Sequence, residues 1–324
     1  LCMARRPPLP LDCAPMTAPD TRPDDSRKIL LANFAAAASS LSAGASIVAT
    51  RFVIDQTDPA TIGFYRYFIG AVVLLPVLSW GLLTRRISAR DMIAIALLGI
   101  VFFGYFPWAF SASLKYTTAA RGAVGLATAP IMTLLLAQLL GRERMTPMKT
   151  LSVGVAFAGV VVAFSDALLG STDDGFLGEG LMLAAVVGAA IYSIYARPYL
   201  VRHGPVFVTS LAITFGMLSL LPFAAAEGAV SDIPDFTTGG WIAVIFLGVI
   251  GGAVQFVLFT WALRWISPTR AAIYVTLNPI SALILAALIL GEALTPQLLV
   301  GAILVISGIF LANRPSARRA EEGA

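Results

Sequence analysis

The chain has 324 residues, 58% of them hydrophobic and only 12% charged, with a mean hydropathy of +0.85. Soluble domains carry roughly 25% charged residues, so a globule of this size would lack the polar surface to face water and must be covered by lipid. The net charge of +4 and pI near 9.3 do not signal nucleic acid, because Lys and Arg sit in short gaps between apolar runs, as in cytoplasmic loops beside membrane spans.

Residues 1–28 are rich in Pro, Asp and Arg and have no apolar core, which excludes a secretory signal peptide. They are expected to form a disordered cytoplasmic tail, in which Met3 and Met16 each offer a start. Cys2 and Cys13 both lie there, so no disulfide framework is implied. Crossing the hydrocarbon core takes about 20 apolar residues. Ten stretches qualify: 29–51, 60–82, 91–114, 117–140, 146–166, 177–199, 205–226, 239–263, 267–290 and 296–313. A second tail, 314–324, closes the chain.

Loop charges orient these spans. Arg27 and Lys28 precede the first; alternate loops carry Arg85, Arg86 and Arg90, then Arg142, Arg144 and Lys149, then Arg197 and Arg202, then Arg264. Arg314, Arg318 and Arg319 follow the last span. The opposite loops hold Asp55, Asp58, Asp173, Asp174, Glu179, Glu227, Asp232, Asp235 and Glu292. Arg51 and Lys115 are exceptions near outer helix ends. The bias places both termini in the cytoplasm and requires an even number of spans.

An internal repeat organises the chain. A shift of 149 residues lays Leu98 onward over Leu247 onward, pairing Arg121 with Arg270, Pro130 with Pro279, Glu143 with Glu292 and Thr146-Pro147 with Thr295-Pro296. At a shift of 146, Arg51 meets Arg197, Pro59 meets Pro205, Gly70 meets Gly216 and Leu75-Pro76 meets Leu221-Pro222. Leucines match by chance in apolar helices; these Arg, Pro, Glu and Thr-Pro coincidences do not. Each repeat, 29–166 and 177–313, holds an odd number of spans, so the halves must lie upside down relative to one another. The expected fold is an all-α polytopic membrane protein of ten helices in two inverted five-helix repeats, the organisation of secondary transporters.

These motifs resemble the drug/metabolite transporter superfamily, in its ten-helix EamA-type branch. The resemblance spans about residues 28–313 and rests on Leu114-Lys115-Tyr116-Thr117-Thr118-Ala119-Ala120, on Pro130, and on the turn at 141–147 echoed at 291–296. Arg66, within Phe64-Tyr65-Arg66-Tyr67-Phe68, matches an arginine common in the second helix of that family. Ser42-Ala43-Gly44 stands where the family usually has a Trp-Gly pair. Among members, the chain most resembles bacterial amino-acid exporters of the YddG type. The resemblance implies a central site near spans 1, 3, 4, 6, 8 and 9, and an amino-acid substrate.

The residues themselves show no catalytic constellation, no metal-ligand set and no cofactor motif; His203 is the single histidine. The chain is therefore not expected to be an enzyme, and its partners are a small-molecule substrate and the bilayer. Every Asp and Glu reads as belonging to a tail, a loop or a last helical turn, which argues against a membrane-embedded proton relay. Pro130 and Pro279 fall in the middles of spans 4 and 9, where each removes a helix hydrogen bond and frees acceptors around Leu126 and Val275; a hinge or cavity wall and a simple packing kink both fit. Ser40, Tyr105, Trp108, Tyr192, Gln255, Tyr274 and Asn278 are the substrate-binding candidates at midplane depth. For the amides the alternative is an interhelical hydrogen bond of about 0.6 kcal/mol, and for the aromatics it is packing. Arg66, Arg121 and Arg270 read either as gates or anchors or as side chains snorkelling to headgroups.

The function expected is export of small metabolites, most simply neutral and aromatic amino acids, by alternating access without ATP. The rivals are a carrier of sugar phosphates or nucleotide-sugars, which would want several bases at midplane, and a non-transporting membrane enzyme or assembly factor, which would leave the repeat unexplained.

Overall fold

The computed structural model describes residues 23–142, 145–165, 173–230, 234–262, 265–266 and 274–312. Among them are eleven helices: α1 Pro23–Ile54, α2 Pro59–Thr84, α3 Ala89–Ser113, α4 Ala119–Leu139, α5 Pro147–Ala163, α6 Asp173–Tyr195, α7 Arg197–His203, α8 Pro205–Ala226, α9 Thr238–Ala262, α10 Leu277–Leu290 and α11 Pro296–Ala312. The described residues contain no strand. Seven helices are long and apolar enough to cross a membrane: α1, α2, α3, α4, α6, α8 and α9. Helices α5, α10 and α11 are apolar but shorter, with 17, 14 and 17 residues. At about 1.5 Å per residue a 17-residue helix covers roughly 25 Å, the short end of what spans a core about 30 Å thick.

Helix starts follow local chemistry. The hydroxyls of Ser88, Thr118, Thr146, Thr237 and Thr295 accept from the backbone N–H three residues on, and Pro59, Pro147, Pro205 and Pro296 open helices whose first N–H groups need no partner. Gly141 and Gly291 turn the chain after α4 and α10 with the same left-handed φ of +66°, which a β-carbon would strain.

Three expectations are corrected. The first helix starts at Pro23, so part of the segment read as a disordered tail is helical. The sixth span ends at Tyr195, and Arg197–His203 is a separate helix whose last turn, not a loop, carries Arg202 and His203. Carboxylates read as loop residues also lie inside helices: Asp173, Asp174 and the partly buried Glu179 in α6, and buried Asp91 in the first turn of α3. Residues 313–324, Glu143, Arg144, Arg264 and residues 267–273, which include Arg270, lie outside the described residues.

Packing follows small residues, as expected where lipid supplies no hydrophobic drive between helices. α5 packs along α11, where a β-carbon on Gly159 would meet the Gly301 backbone and one on Gly308 would meet Ser152 and Ala156. α2 packs along α8; α1 packs on α9 and α10; α6 packs on α3 and α4. α2 also touches α9 at Gly70, against Gly248 and Gly252, as α8 touches α3 at Gly216, against Gly99 and Phe103. Exchanging the two halves leaves this set of pairings unchanged. α3 and α9 even carry the same irregularity. Each widens to a π-helical segment, Ile100–Tyr105 and Val249–Val254, so that the N–H groups of Phe106 and Gln255 reach the carbonyls of Val101 and Ile250, five residues back.

Candidate functional site

The π-helical segment of α9 releases Gln255 on the face toward α1. Widened turns of this kind recur at functional sites because they re-aim the residues that follow. Ser39, Ser40 and Ala43 of α1, Gln255, Phe256 and Phe259 of α9, and Val275 and Asn278 beside Pro279 line a cavity of about 200 Å³. Gly44 lets α1 approach α10 closely, since a β-carbon there would collide with Ser281 and the Asn278 carbonyl. Ser39 donates to the Gln255 carbonyl (3.0 Å), and Ser281 donates to those of Asn278 (3.0 Å) and Leu41 (3.4 Å). These bonds hold backbone and leave the amide side chains uncommitted. The side-chain oxygens of Gln255 and Asn278 are both buried and have no hydrogen-bond partner. Such orphaned groups are rare in folded proteins and each costs about 1–3 kcal/mol, which a bound donor would recover. Among the described residues lining this cavity there is no carboxylate and no histidine.

The sequence candidates divide among several places. Ser40, Gln255 and Asn278 meet in the cavity. Tyr105 and Trp108 border a different one, about 310 Å³, with Ile100, Gly104, Ser219, Leu220 and Phe223, and are 41% and 38% exposed. Tyr192 stacks on Phe102 (4.4 Å, 15°) and meets Phe103 edge-on (5.9 Å), inside an aromatic core. Tyr274 packs at the edge of the small cluster that Ala32, Ala35, Ala36, Ala262 and Ile266 form, and does not line the cavity. Ser39 joins Ser40, Gln255 and Asn278 in the wall; sequence reading passed over Phe256 and Phe259 and named Val275 only for the acceptor freed by Pro279. Their positions one or four residues from Gln255, or three from Asn278, are the signal that could have found them.

The two prolines sit alike, each just after a one-residue interruption of its helix, at Thr128 and at Thr276. Pro130 does not kink a continuous helix: α4 breaks at Thr128, and the Thr128 N–H (3.1 Å) and hydroxyl (2.6 Å) both bond the Gly125 carbonyl. Pro279 lies in the opening turn of α10, next to the cavity-lining Asn278. Arg121 sits at the start of α4, where its charge acts on Glu179. Arg66 does not snorkel. Its Nη2 donates to the Gly251 carbonyl (3.2 Å), its guanidinium lies 5.4 Å from the Tyr67 ring, and its Nε is buried.

A bundle of long apolar helices around small cavities is the make-up of a multi-pass membrane transporter. The model of the EamA-like transporter family matches residues 30–165 and again 176–314, and the chain belongs to that family. It is 25% identical over 277 residues to an uncharacterized transporter of Archaeoglobus fulgidus, covering 84% of this chain and 94% of that one. The uncharacterized transporter YyaM of Bacillus subtilis is 22% identical, over 85% and 90% of the two chains. A "Probable terminal-alkyne amino-acid exporter" of Streptantibioticus cattleyicolor is 28% identical over 274 residues, 85% and 90% of the chains. One solved crystal structure superposes with a TM-score of 0.57 at 18% identity, over 85% of this chain and 97% of its own, and so shares the fold. These relatives are named as transporters, in keeping with a carrier and not an enzyme.

Proposed function

We propose that this protein exports small zwitterionic metabolites, chiefly neutral and aromatic amino acids, across a bacterial inner membrane by alternating access, in ten spans arranged as two inverted repeats with both termini cytoplasmic. The pairing that survives exchange of the halves, and the π-helical segments at the repeat spacing of 149 residues, support the repeat. The observation that carries the substrate class is the pair of buried, unpartnered amide oxygens of Gln255 and Asn278 beside the rings of Phe256 and Phe259. Buried acceptors suit an ammonium, and ring faces suit both a cation and a varied apolar side chain. One relative is named for amino-acid export.

Uptake of labelled amino acids into proteoliposomes tests this reading. Neutral and aromatic amino acids should exchange, and sugar phosphates should not compete. Asn278→Ala should lower flux about two- to tenfold, the equivalent of one hydrogen bond worth about 0.5–1.5 kcal/mol, with little change in melting temperature. Normal flux in that variant would remove Asn278 from the site. With no acid lining the cavity, a pH gradient alone should drive no uphill uptake. For topology, a periplasm-active reporter should be silent after Ala324 and active between Asp173 and Asp174; the reverse would overturn the orientation.

A further inference from the structure

We infer that Arg66 is the residue that selects a carboxylate on the transported molecule, an assignment that deepens the amino-acid reading and rests on the same site. Arg66 follows Pro59 by seven residues in α2, roughly 10 Å along the helix, which is too deep for an idle cation. Its partners are poor: one carbonyl at 3.2 Å and one tyrosine face, with Nε buried and unbonded. Among the described residues no carboxylate pairs with it. A guanidinium presents its N–H donors in a fork that matches a carboxylate, and a cation held inside a membrane protein is costly unless an anion accompanies it. The missing anion is then a visitor.

Two features place that visitor at the cavity. Ser46 and the Arg66 Nη2 flank Gly251, both close to where its β-carbon would stand. Gly251 is one helical turn, roughly 6 Å, from Gln255, and Ser46 is three residues from Ala43; Gln255 and Ala43 both line the cavity. Arg66 therefore lies one turn beyond the amide oxygens along the same two helices. Donors at one end and bare acceptors at the other suit a carboxylate and an ammonium on one carbon, each reached by a hydrogen bond of about 2.9 Å. The room for the guanidinium is local to this half. At the repeat spacing, Gly251 and Gly252 correspond to Phe102 and Phe103, and Arg66 corresponds to Ala212.

The test is counterflow in proteoliposomes with four probes of one side chain: phenylalanine, its amide, its decarboxylated amine and its 2-hydroxy acid. The wild type should favour the two carboxylates. Arg66→Gln should slow them at least about tenfold, the loss of a charged hydrogen bond, and erase the preference over the amide, while Arg66→Lys should keep the preference at lower affinity. A wild type that moves the amide and amine as fast as the acid overturns the assignment without any variant, so a misfolded Arg66→Gln does not shelter it. Preference intact in Arg66→Gln sinks the role of Arg66 and spares amino-acid export. Transport of the hydroxy acid but not of phenylalanine sinks amino-acid export and spares Arg66.

Discussion

The junction of α1 with α9 and α10 and the junction of α6 with α3 and α4 share one geometry but have opposite fillings. At the repeat spacings Ser39, Ser40 and Ala43 correspond to Ala185, Val186 and Ala189, and Gln255, Phe259 and Asn278 correspond to Phe106, Phe110 and Ala129. In the first junction two amides border a cavity; in the second Ala185, Val186 and Phe110 are buried, and Phe106 stacks on Phe102 (5.2 Å) and Phe110 (5.8 Å). Both junctions follow a π-helical segment, yet one releases a glutamine and the other a phenylalanine. An unpaired amide inside a bilayer protein costs free energy, so it persists where something binds and is replaced by close packing where nothing does. Symmetry of the backbone does not require symmetry of the site.

The most disruptive exchange puts each filling into the other junction. Gln255→Phe should fill the cavity and cut amino-acid flux more than tenfold while holding or raising the melting temperature, since it removes a buried unpaired oxygen. Phe106→Gln should do the converse. It should leave transport specificity unchanged and lower stability by about 1–3 kcal/mol, because the new amide lies among rings with no partner. Equal flux losses and equal melting shifts in both variants would mean that the two junctions do the same work.

A smaller contrast separates the two ends of the bundle. Buried Asp91 of α3 accepts from Arg202 (2.9 Å) and pairs with His203 (2.8 Å) of α7, and Arg85 donates to the His203 carbonyl. The corresponding tie after α1 is neutral and exposed: the Gln56 side chain accepts from the Thr237 N–H and hydroxyl, both at 3.0 Å. Removing one partner of a charged, buried bond costs more than removing an exposed neutral one. Asp91→Asn should therefore lower the melting temperature in detergent by more than Gln56→Ala does, the latter costing about 1 kcal/mol or less. A larger loss at Gln56 would reverse which end of the bundle is held more firmly.

Position along the chain was readable in the sequence; direction around each helix was not. Thr-Pro turns, N-cap hydroxyls and the glycines at 141 and 291 act through local backbone geometry, so residue type alone marks them. Depth also follows from counting residues, which is how Ser40, Gln255 and Asn278 came to be grouped with Tyr105, Trp108, Tyr192 and Tyr274. A helix apolar on every side has no polar stripe to reveal its facing, so the tyrosines at similar depth were assigned to a site they do not border. The π-helical segments add to this by rotating everything after Tyr105 and Val254. Nothing in Ile-Val-Phe-Phe-Gly-Tyr or Val-Ile-Gly-Gly-Ala-Val announces them, and only the first is followed closely by a proline, Pro107. For the same reason the depth of Arg66 left snorkelling open beside a gate or anchor role, and only its bond to the Gly251 carbonyl, across the contact of α2 with α9, excludes snorkelling.

The mildest substitution tests whether facing is now assigned correctly. Ser39, Ser40 and Ser42 are close in sequence, but Ser39 and Ser40 are buried and line the cavity while Ser42 is half-buried and does not, its hydroxyl donating to the Ala38 carbonyl one turn back (2.7 Å). That bond is internal to α1 and competes with nothing, and alanine is the better helix former. Ser42→Ala should leave flux within about twofold and stability within about 0.5 kcal/mol, the usual range for surface substitutions. Ser40→Ala, which alters the cavity wall, should reduce flux more than Ser42→Ala does. If Ser42→Ala proves the more damaging of the two, α1 presents a different face to the substrate, and the cavity between α1, α9 and α10 is not where transport happens.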